Sequence, residues 1–247
     1  MKKTHCPFII LISGTPGTGK TSLTHKISQE LDGRMFSLGD FVVENRLYTD
    51  SDDDTDGKIV KNEIAAKVVA TKFLTEFADT SIIIIESHYV DIILDGFMQI
   101  KKEFSCATDY IIGKNIIGIV LRCHPNILRT RLVQRQYSFL KIIENLQAEI
   151  LSESTQNLLE VLPKERILEV DTSEYGVDEL SATICANFSQ FSTDKEVHWG
   201  VLRKVGMIDW IQELSEEGTL DSFFKNNVGE AYPLEFEDLN DEDKNGV

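Results

Sequence analysis

One short segment constrains the fold of this chain more than any other: an apolar run that leads directly into a glycine-rich loop. The run is Phe8-Ile9-Ile10-Leu11-Ile12, and residues 14–21 read Gly-Thr-Pro-Gly-Thr-Gly-Lys-Thr. A continuous run of β-branched and other apolar residues predicts a strand buried on both faces. Residues 21–31 predict a helix. The loop therefore lies between a buried strand and the start of a helix, which is where phosphate-binding loops occur.

The loop matches the pattern G-x-x-x-x-G-K-[ST] at every fixed position. Glycines let backbone N–H groups converge on phosphate oxygens, and the helix N-terminus adds a favourable dipole. Lys20 supplies positive charge to the β- and γ-phosphates, and the Thr21 hydroxyl can ligate Mg²⁺. A chance match is the alternative, but the flanking strand and helix argue against it. The expected nucleotide-binding residues are Gly14, Thr15, Pro16, Gly17, Thr18, Gly19, Lys20, Thr21 and Ser22.

Four further short runs predict strands, and they alternate with segments that predict helices. The runs lie at 35–38, 82–85, 116–121 and 166–170, and helices are expected at 40–47, 58–77, 126–134, 139–162 and 177–188. Such alternation indicates a parallel sheet covered on both faces. We predict an α/β core at residues 1–190 with a five-stranded parallel sheet, a helical appendage at 191–229, and an acidic, disordered tail at 230–247.

A carboxylate is expected beside the phosphate loop, at the end of a neighbouring strand. The apolar run at 82–85 is followed by Glu86-Ser87-His88. Glu86 can hold Mg²⁺ directly or through water, and His88 can position or deprotonate an attacking water or hydroxyl. The alternatives are a solvated strand end for Glu86 and a structural role for His88, since a lone histidine is more often structural than catalytic.

Arg129, Arg131 and Arg135 lie within one short segment, and positions 131 and 135 share a helix face. Arginine suits the charge of a transferring phosphoryl group, so Arg131 and Arg135 are candidate catalytic residues on a lid. The alternative is a helix of salt bridges to Glu144 and Glu149.

The formal net charge of -16 disfavours RNA or membrane binding by a basic face and favours basic protein partners. Improved solubility alone is an equally good explanation of the acidic excess. The four cysteines are widely spread and form no C-x-x-C pair, which indicates reduced thiols in an intracellular protein. No apolar stretch approaches the ~18 residues of a membrane span.

Several motifs together resemble the adenylate kinase isoenzyme 6 family of nuclear and archaeal P-loop NTPases. The resemblance covers most of residues 7–212. Its most specific parts are the Thr-Pro loop, an acid-x-His motif at Glu86-Ser87-His88, and a lid signature. The matching segments are Ile12 to Thr21, Leu38-Gly39-Asp40, Leu47-Tyr48, Glu86-Ser87-His88, Val120-Leu121-Arg122, Arg131-Leu132, Arg135-Gln136-Tyr137, residues 144–150, Glu169-Val170-Asp171-Thr172 and residues 205–210.

This resemblance implies an adenylate kinase-like three-layer P-loop fold, with a nucleotide-monophosphate region at about 39–80 and a short lid at about 126–140. It implies Mg²⁺ as cofactor, ATP and ADP as substrates, ATPase activity, and AMP phosphorylation. Arg135 would contact the nucleotide, and Gly39, Asp40 and Arg46 would lie on the AMP side. The family acts in small-subunit ribosome assembly and binds a basic ribosomal protein of the S11 family on the pre-ribosome. Those properties imply a protein of nucleus and cytoplasm, with no membrane or sequence-specific nucleic acid as partner.

The chain departs from the family pattern at several positions. Glu86 stands where the family usually has Asp, and Gln136 replaces a glycine, which would stiffen the lid hinge. Val43 occupies the place of an AMP-binding arginine, for which Arg46 could substitute. The stretch 95–113 is interpreted as an insertion, either a surface excursion or a partner-binding or lid element.

Three functions remain open at this stage: an ATPase that acts as an assembly factor, a dedicated nucleoside-monophosphate kinase, and a nucleotide-gated binding module for a basic ribosomal protein. A small-metabolite kinase is disfavoured because nothing beyond the loop points to it. The level of ADP formation with and without AMP separates the first two. Partner capture after truncation of residues 191–247 tests the third.

Overall fold

The computed structural model describes residues 7–50, 58–60, 62–77, 79–87, 91–103, 114–191 and 202–224. Its centre is a six-stranded sheet with strand order β2-β5-β1-β6-β7-β8. The first five strands in this order run parallel, as predicted, and β8 pairs antiparallel with β7. The strands are β1 Phe8–Gly14, β2 Arg34–Ser37, β5 Ile82–Glu86, β6 Ile116–Arg122, β7 Ile167–Asp171 and β8 Leu202–Lys204, with a separate hairpin of β3 Tyr48–Asp50 and β4 Lys58–Val60.

Nine α-helices occur in the described part of the chain. They are α1 Lys20–Glu30, α2 Leu38–Glu44, α3 Asn62–Glu76, α4 Asp91–Ile100, α5 Pro125–Gln134, α6 Phe139–Ile150, α7 Glu153–Val161, α8 Val177–Phe191 and α9 Trp210–Glu216, with 3-10 turns at Lys164–Arg166 and Leu220–Phe223. None of the described helices is long and apolar enough to cross a lipid bilayer.

Alternating side chains of β1 enter two separate apolar layers. Ile9 and Leu11 face helices α2, α3, α4 and α7, whereas Ile10 and Ile12 face α1 and α8. All four side chains are fully buried, so this central strand is apolar on both faces, as its sequence requires. The sheet is therefore the middle of three layers. The phosphate loop leaves it at the carboxyl end of β1.

The supposed insertion is a core element over part of its length, which corrects the surface interpretation of residues 95–113. Helix α4 covers the start of that stretch and buries Phe97 and Ile100. Gly96 lets the helix approach α3 closely, because a Cβ there would lie 2.1 Å from the carbonyl oxygen of Ala66. The apolar spacing of Ile92, Phe97 and Ile100 is the signal of this buried face. Residues 104–113 lie outside the described part.

Three predicted helices have different limits in the structure. Helix α2 begins at Leu38 and is capped by Ser37, whose hydroxyl accepts from the backbone N–H of Asp40, so Asp40 is not the cap. Lys58–Val60 is a strand and not the start of α3. The predicted helix at 139–162 is two helices, because Ser152 has a φ of 57° and interrupts the hydrogen-bond pattern.

Part of the predicted appendage belongs to the main sheet. Strand β8 pairs with β7, and Trp210 and Leu214 of α9 pack against α5 and α6 in a third apolar cluster. Trp199 lies outside the described residues. The described segment 202–224, called here the C-terminal segment, covers the edge of β7 and packs on α5 and α6.

Candidate active site

The phosphate loop connects β1 to α1 with the geometry that anion binding needs. Gly19 is the residue before α1, with a φ of 97°, and a Cβ at this position would meet nothing within 4 Å. Its left-handed conformation therefore requires glycine for backbone reasons, not for lack of space. The loop leads directly into this 11-residue helix, and the first N–H groups of a helix have no partner within the helix itself.

Lys20 donates from Nζ to the carbonyl oxygens of Gly14 (2.8 Å) and Thr15 (3.0 Å). Burial lowers the pKa of Lys20 to about 7, although the charges of Glu86 and Glu149 oppose this shift. A phosphate in the cleft would restore the ordinary preference for the ammonium form, because an adjacent anion favours the charged lysine. The charge of Lys20 would therefore depend on whether a phosphate is bound in the cleft.

Thr21 and Glu86 form the pair of oxygen ligands predicted for a metal ion. The Thr21 hydroxyl donates to Glu86 Oε1 at 3.3 Å. Glu86 Oε2 is buried and, within the described residues, accepts no hydrogen bond. Burial raises the pKa of Glu86, against the opposing effects of Thr21 and Lys20. An unpartnered carboxylate oxygen beside a hydroxyl fits Mg²⁺, which prefers oxygen ligands.

These groups open into one cleft of about 290 Å³. The predicted lid contributes Arg135 and Tyr137, and the N-terminal end of α2 contributes its cap Ser37 and Gly39. Residues predicted for the phosphate loop, the metal site, the lid and the AMP side therefore line a single cavity. Sequence analysis assigned no role to Tyr137. The lining residues are Pro16, Gly17, Gly19, Lys20, Thr21, Ser22, Ser37, Gly39, Glu86, Ser87, Arg135 and Tyr137.

Other predicted residues lie elsewhere. Arg131 points to the residue that follows β7: its guanidinium donates to the Thr172 hydroxyl (3.1 Å) and carbonyl (2.6 Å), and Arg131 is not among the residues that line the cleft. Asp40 and Arg46 are exposed near α2 and also lie outside the lining, although the charge of Asp40 acts on Glu86. His88 is outside the described residues.

Comparison with known proteins agrees with this geometry. Residues 10–152 match the family model described as "AAA domain". The chain is 30% identical to a Methanocaldococcus jannaschii protein described as "Putative adenylate kinase", over 86% of this chain and 98% of that protein. A Saccharolobus islandicus protein of the same description is 29% identical over 89% of this chain and its own full length.

The chain belongs to an adenylate kinase-like family of P-loop proteins. Its kinase relatives support the conclusion that this chain is a phosphotransferase with an ATP-binding phosphate loop. Among solved structures, the tunicamycin resistance protein of Deinococcus radiodurans is 15% identical and aligns with a TM-score of 0.48 over 74% of this chain and 95% of that chain.

Behind the phosphate loop, this adenylate kinase-like protein buries a charged network that sequence analysis did not assign. Arg122, Glu149 and Glu169 are each 1% exposed. The guanidinium of Arg122 lies 2.8 Å from a carboxylate oxygen of each partner. Glu149 therefore pairs with Arg122, which the salt-bridge alternative for Arg129, Arg131 and Arg135 did not include.

The signal of this network was present in the sequence. Glu169 is flanked by Leu168 and Val170 inside a predicted buried strand, and Glu149 lies between Ala148 and Ile150. Because an unpaired charge is costly to bury, a carboxylate in such a setting requires a buried cation as partner. Arg122, at the end of another predicted buried strand, supplies that cation for both carboxylates.

Proposed function

We propose that this protein transfers the γ-phosphate of Mg-ATP to AMP, in the reaction ATP + AMP ⇌ 2 ADP, and to water in an ATPase reaction. The observation that carries the proposal is the juxtaposition of Lys20, Thr21 and the unpartnered oxygen of Glu86 in one cleft. The name of the archaeal relatives supports adenine nucleotides as the substrates.

The residues of the cleft divide the work of phosphoryl transfer. Lys20 exchanges its two carbonyl partners for β- and γ-phosphate oxygens, and Arg135 stabilises charge on the transferred group. Thr21 and Glu86 would hold Mg²⁺. When bound, this ion neutralises phosphate charge. His88, two residues after Glu86, is proposed to align the attacking water or hydroxyl.

The AMP side of the proposal rests on the start of α2. Gly39 lines the cleft together with Ser37, so an acceptor phosphate there would lie in the same cavity as Lys20. Asp40 and Arg46 are the further proposed AMP contacts, although both are exposed beyond the cleft lining.

The finer proposal is that this enzyme is a member of the adenylate kinase isoenzyme 6 group and acts in small-subunit ribosome assembly in nucleus and cytoplasm. The motif resemblance supports it, and the net charge of -16 suits a basic partner such as an S11-family ribosomal protein on the pre-ribosome. Salt-sensitive capture of a purified S11-family protein by the full chain tests it. No capture at low ionic strength would contradict it.

The test of the chemistry is ADP formation from Mg-ATP with and without AMP. We expect turnover in both conditions, abolished by Lys20→Ala and strongly reduced by His88→Ala. Unchanged hydrolysis in both variants would refute the mechanism. Strong stimulation by AMP with negligible hydrolysis alone would instead identify a dedicated nucleoside-monophosphate kinase.

A further inference from the structure

The phosphate loop is held from behind through Thr15. The Thr15 hydroxyl donates to Glu149 Oε2 at 2.6 Å, and both residues are buried. The Thr15 carbonyl accepts from Lys20 Nζ at 3.0 Å and from the Thr18 hydroxyl at 2.8 Å. One residue therefore links the protein interior to the cation of the loop. Any change in the position of Thr15 changes the position of a partner of Lys20.

Glu149 is oriented by several donors on its other oxygen. Oε1 accepts from Arg122 Nε at 2.8 Å, from the backbone N–H of Cys123 at 3.1 Å and from Trp210 Nε1 at 3.0 Å. These bonds fix the plane of the carboxylate and so the direction in which Oε2 faces Thr15. Charge-assisted hydrogen bonds in a low-dielectric interior are strong, so the loss of a donor is felt by the remaining partners.

The indole donor comes from the C-terminal segment. Trp210 is 4% exposed, and the Asp209 side chain caps its helix by accepting from the N–H of Gln212 at 3.0 Å. The same segment also reaches the network through the N–H of Gly206, which donates to Glu169 Oε2 at 2.9 Å. The C-terminal segment therefore completes a buried charged network that ends at the phosphate loop.

We propose that Glu149 is a positioning residue for the phosphate loop, and that Trp210 holds Glu149 in place, so that the C-terminal segment sets the affinity of the loop for nucleotide. The path runs from Trp210 through Glu149 to Thr15. A partner that displaced the segment would release Thr15 and weaken nucleotide binding. The inference rests on the proposed binding of ADP and ATP in the loop.

A double-mutant cycle on ADP affinity tests this path, with calorimetric Kd as the readout and unfolding free energy measured on the same proteins. Trp210→Phe removes the donor, and Thr15→Val removes the hydroxyl. Each is expected to weaken ADP binding about tenfold, the effect of one hydrogen bond to a charged group. The double variant should bind within about twofold of Thr15→Val alone, because the path is already cut.

Two further variants separate positioning from loss of structure. Thr15→Ser keeps the hydroxyl, so Trp210→Phe should still weaken ADP binding about tenfold in that background. Leu214→Val shortens a fully buried side chain of the same helix and leaves the indole bond intact. It should lower stability while Kd for ADP stays within about twofold of the wild-type value.

A second measurement keeps residue 210 unchanged. The chain has two tryptophans, so Trp199→Phe leaves Trp210 as the sole indole reporter. Because coupling is reciprocal, ADP should change the Trp210 emission in this background, and Thr15→Val should abolish the change at saturating ADP. The proposed path from Trp210 to Thr15 would be wrong if ADP binding left the Trp210 emission unchanged. It would also be wrong if the double variant lost ADP affinity by the product of the two single losses. Either result would leave the proposed function intact. Failure of the wild-type protein to bind ADP would overturn the proposed function as well.

Discussion

At the scale of single residues, Lys20 shows how the cleft is prepared for an anion. Its ammonium group has two backbone carbonyls as partners, yet burial holds the pKa of Lys20 at about 7. Near pH 7 the free protein therefore contains a mixture of charged and neutral lysine. A bound phosphate raises this pKa, so nucleotide and proton bind together.

The consequence is a proton taken up on ADP or ATP binding. Between pH 7 and the higher pKa of the complex, the complex carries more protons than the free protein, so affinity falls as pH rises, by up to about tenfold per pH unit. We expect uptake of about one proton at pH 8.5, measured by titration calorimetry in buffers of different ionisation enthalpy. Lys20→Arg stays charged and should remove this uptake. Equal affinity at pH 7 and pH 9 would contradict the assignment.

The identity of these residues could be predicted, but their contacts could not. The spacing of the loop predicted Lys20 and Thr21 as neighbours in one site, and both line the cleft, because the motif encodes a local backbone shape. Arg131 and Arg135 share a helix face and are indistinguishable by pattern, yet Arg131 bonds to Thr172 and Arg135 lines the cleft. Which of the two arginines lines the cleft depends on the contact of Arg131 with Thr172, which lies 41 residues away in sequence.

At the scale of elements, the end of lid helix α5 carries a conformational cost. Gln136 has a φ of 58° and donates its backbone N–H to Val133, while Tyr137 donates to Leu132 at 3.2 Å. This is the hydrogen-bonded helix end that glycine favours. The resemblance placed a glycine here, and the structure shows why: a side chain is disfavoured in the left-handed conformation.

Gln136→Gly is therefore expected to stabilise the protein by about 0.5–1 kcal/mol, because relief of the left-handed strain outweighs the added freedom of the unfolded chain. The corresponding rise in Tm is about 1–4 °C, measured by thermal unfolding. The matched control is Gln134→Gly, which places glycine in the last residue of α5 and should not stabilise. A lower Tm for Gln136→Gly than for wild type would refute the argument.

Elements were predictable where one local signal dominated. Strands β1, β5 and β6 follow from apolar runs that are buried along most of their length. Strand β2 has two exposed residues and β7 contains Glu169, so these two were predicted from weaker patterns. The break at Ser152 and the buried face of α4 were missed. Serine in a left-handed conformation has no strong sequence signature, and the helical spacing of α4 was hidden inside a supposed insertion.

At the scale of the whole molecule, the C-terminal segment is part of the described core. It adds β8 to the sheet, covers the third apolar cluster with Trp210 and Leu214, and donates to both buried carboxylates of the network. Truncation at residue 190 would thus remove structural contacts as well as any partner-binding surface. Lost partner capture by such a fragment would not by itself locate a docking site.

Deletion of residues 202–247 is accordingly expected to lower the free energy of unfolding by at least about 3 kcal/mol, with a fall in Tm of about 10 °C. It exposes the edge of β7 and leaves Glu149 without its indole donor. Deletion of the acidic stretch 230–247 alone should change Tm by less than about 1 °C. Circular dichroism melts of both deletions check this expectation. Equal Tm values for the two would contradict it.

The global layout was partly predictable from sequence, since alternating strands and helices allow few topologies. The antiparallel edge strand and the buried network were not predicted. The β7–β8 pairing joins residues more than 30 positions apart, and Arg122 lies 27 and 47 positions from its two partners. A three-residue strand such as β8 also carries too little pattern to be recognised alone. For the buried network, the sequence offered one signal, which is that Glu149 and Glu169 lie among apolar residues.

The most direct test of the metal-dependent phosphotransferase assignment is ATP turnover at varied Mg²⁺ concentration in wild type, Glu86→Gln and Glu86→Asp. Glu86→Gln removes the charge of the proposed metal ligand, so kcat should fall by about 10²-fold or more, while ADP still binds without metal. Glu86→Asp keeps a carboxylate and should retain most of the rate. Turnover by Glu86→Gln at the wild-type rate, with the same Mg²⁺ dependence, would contradict the account.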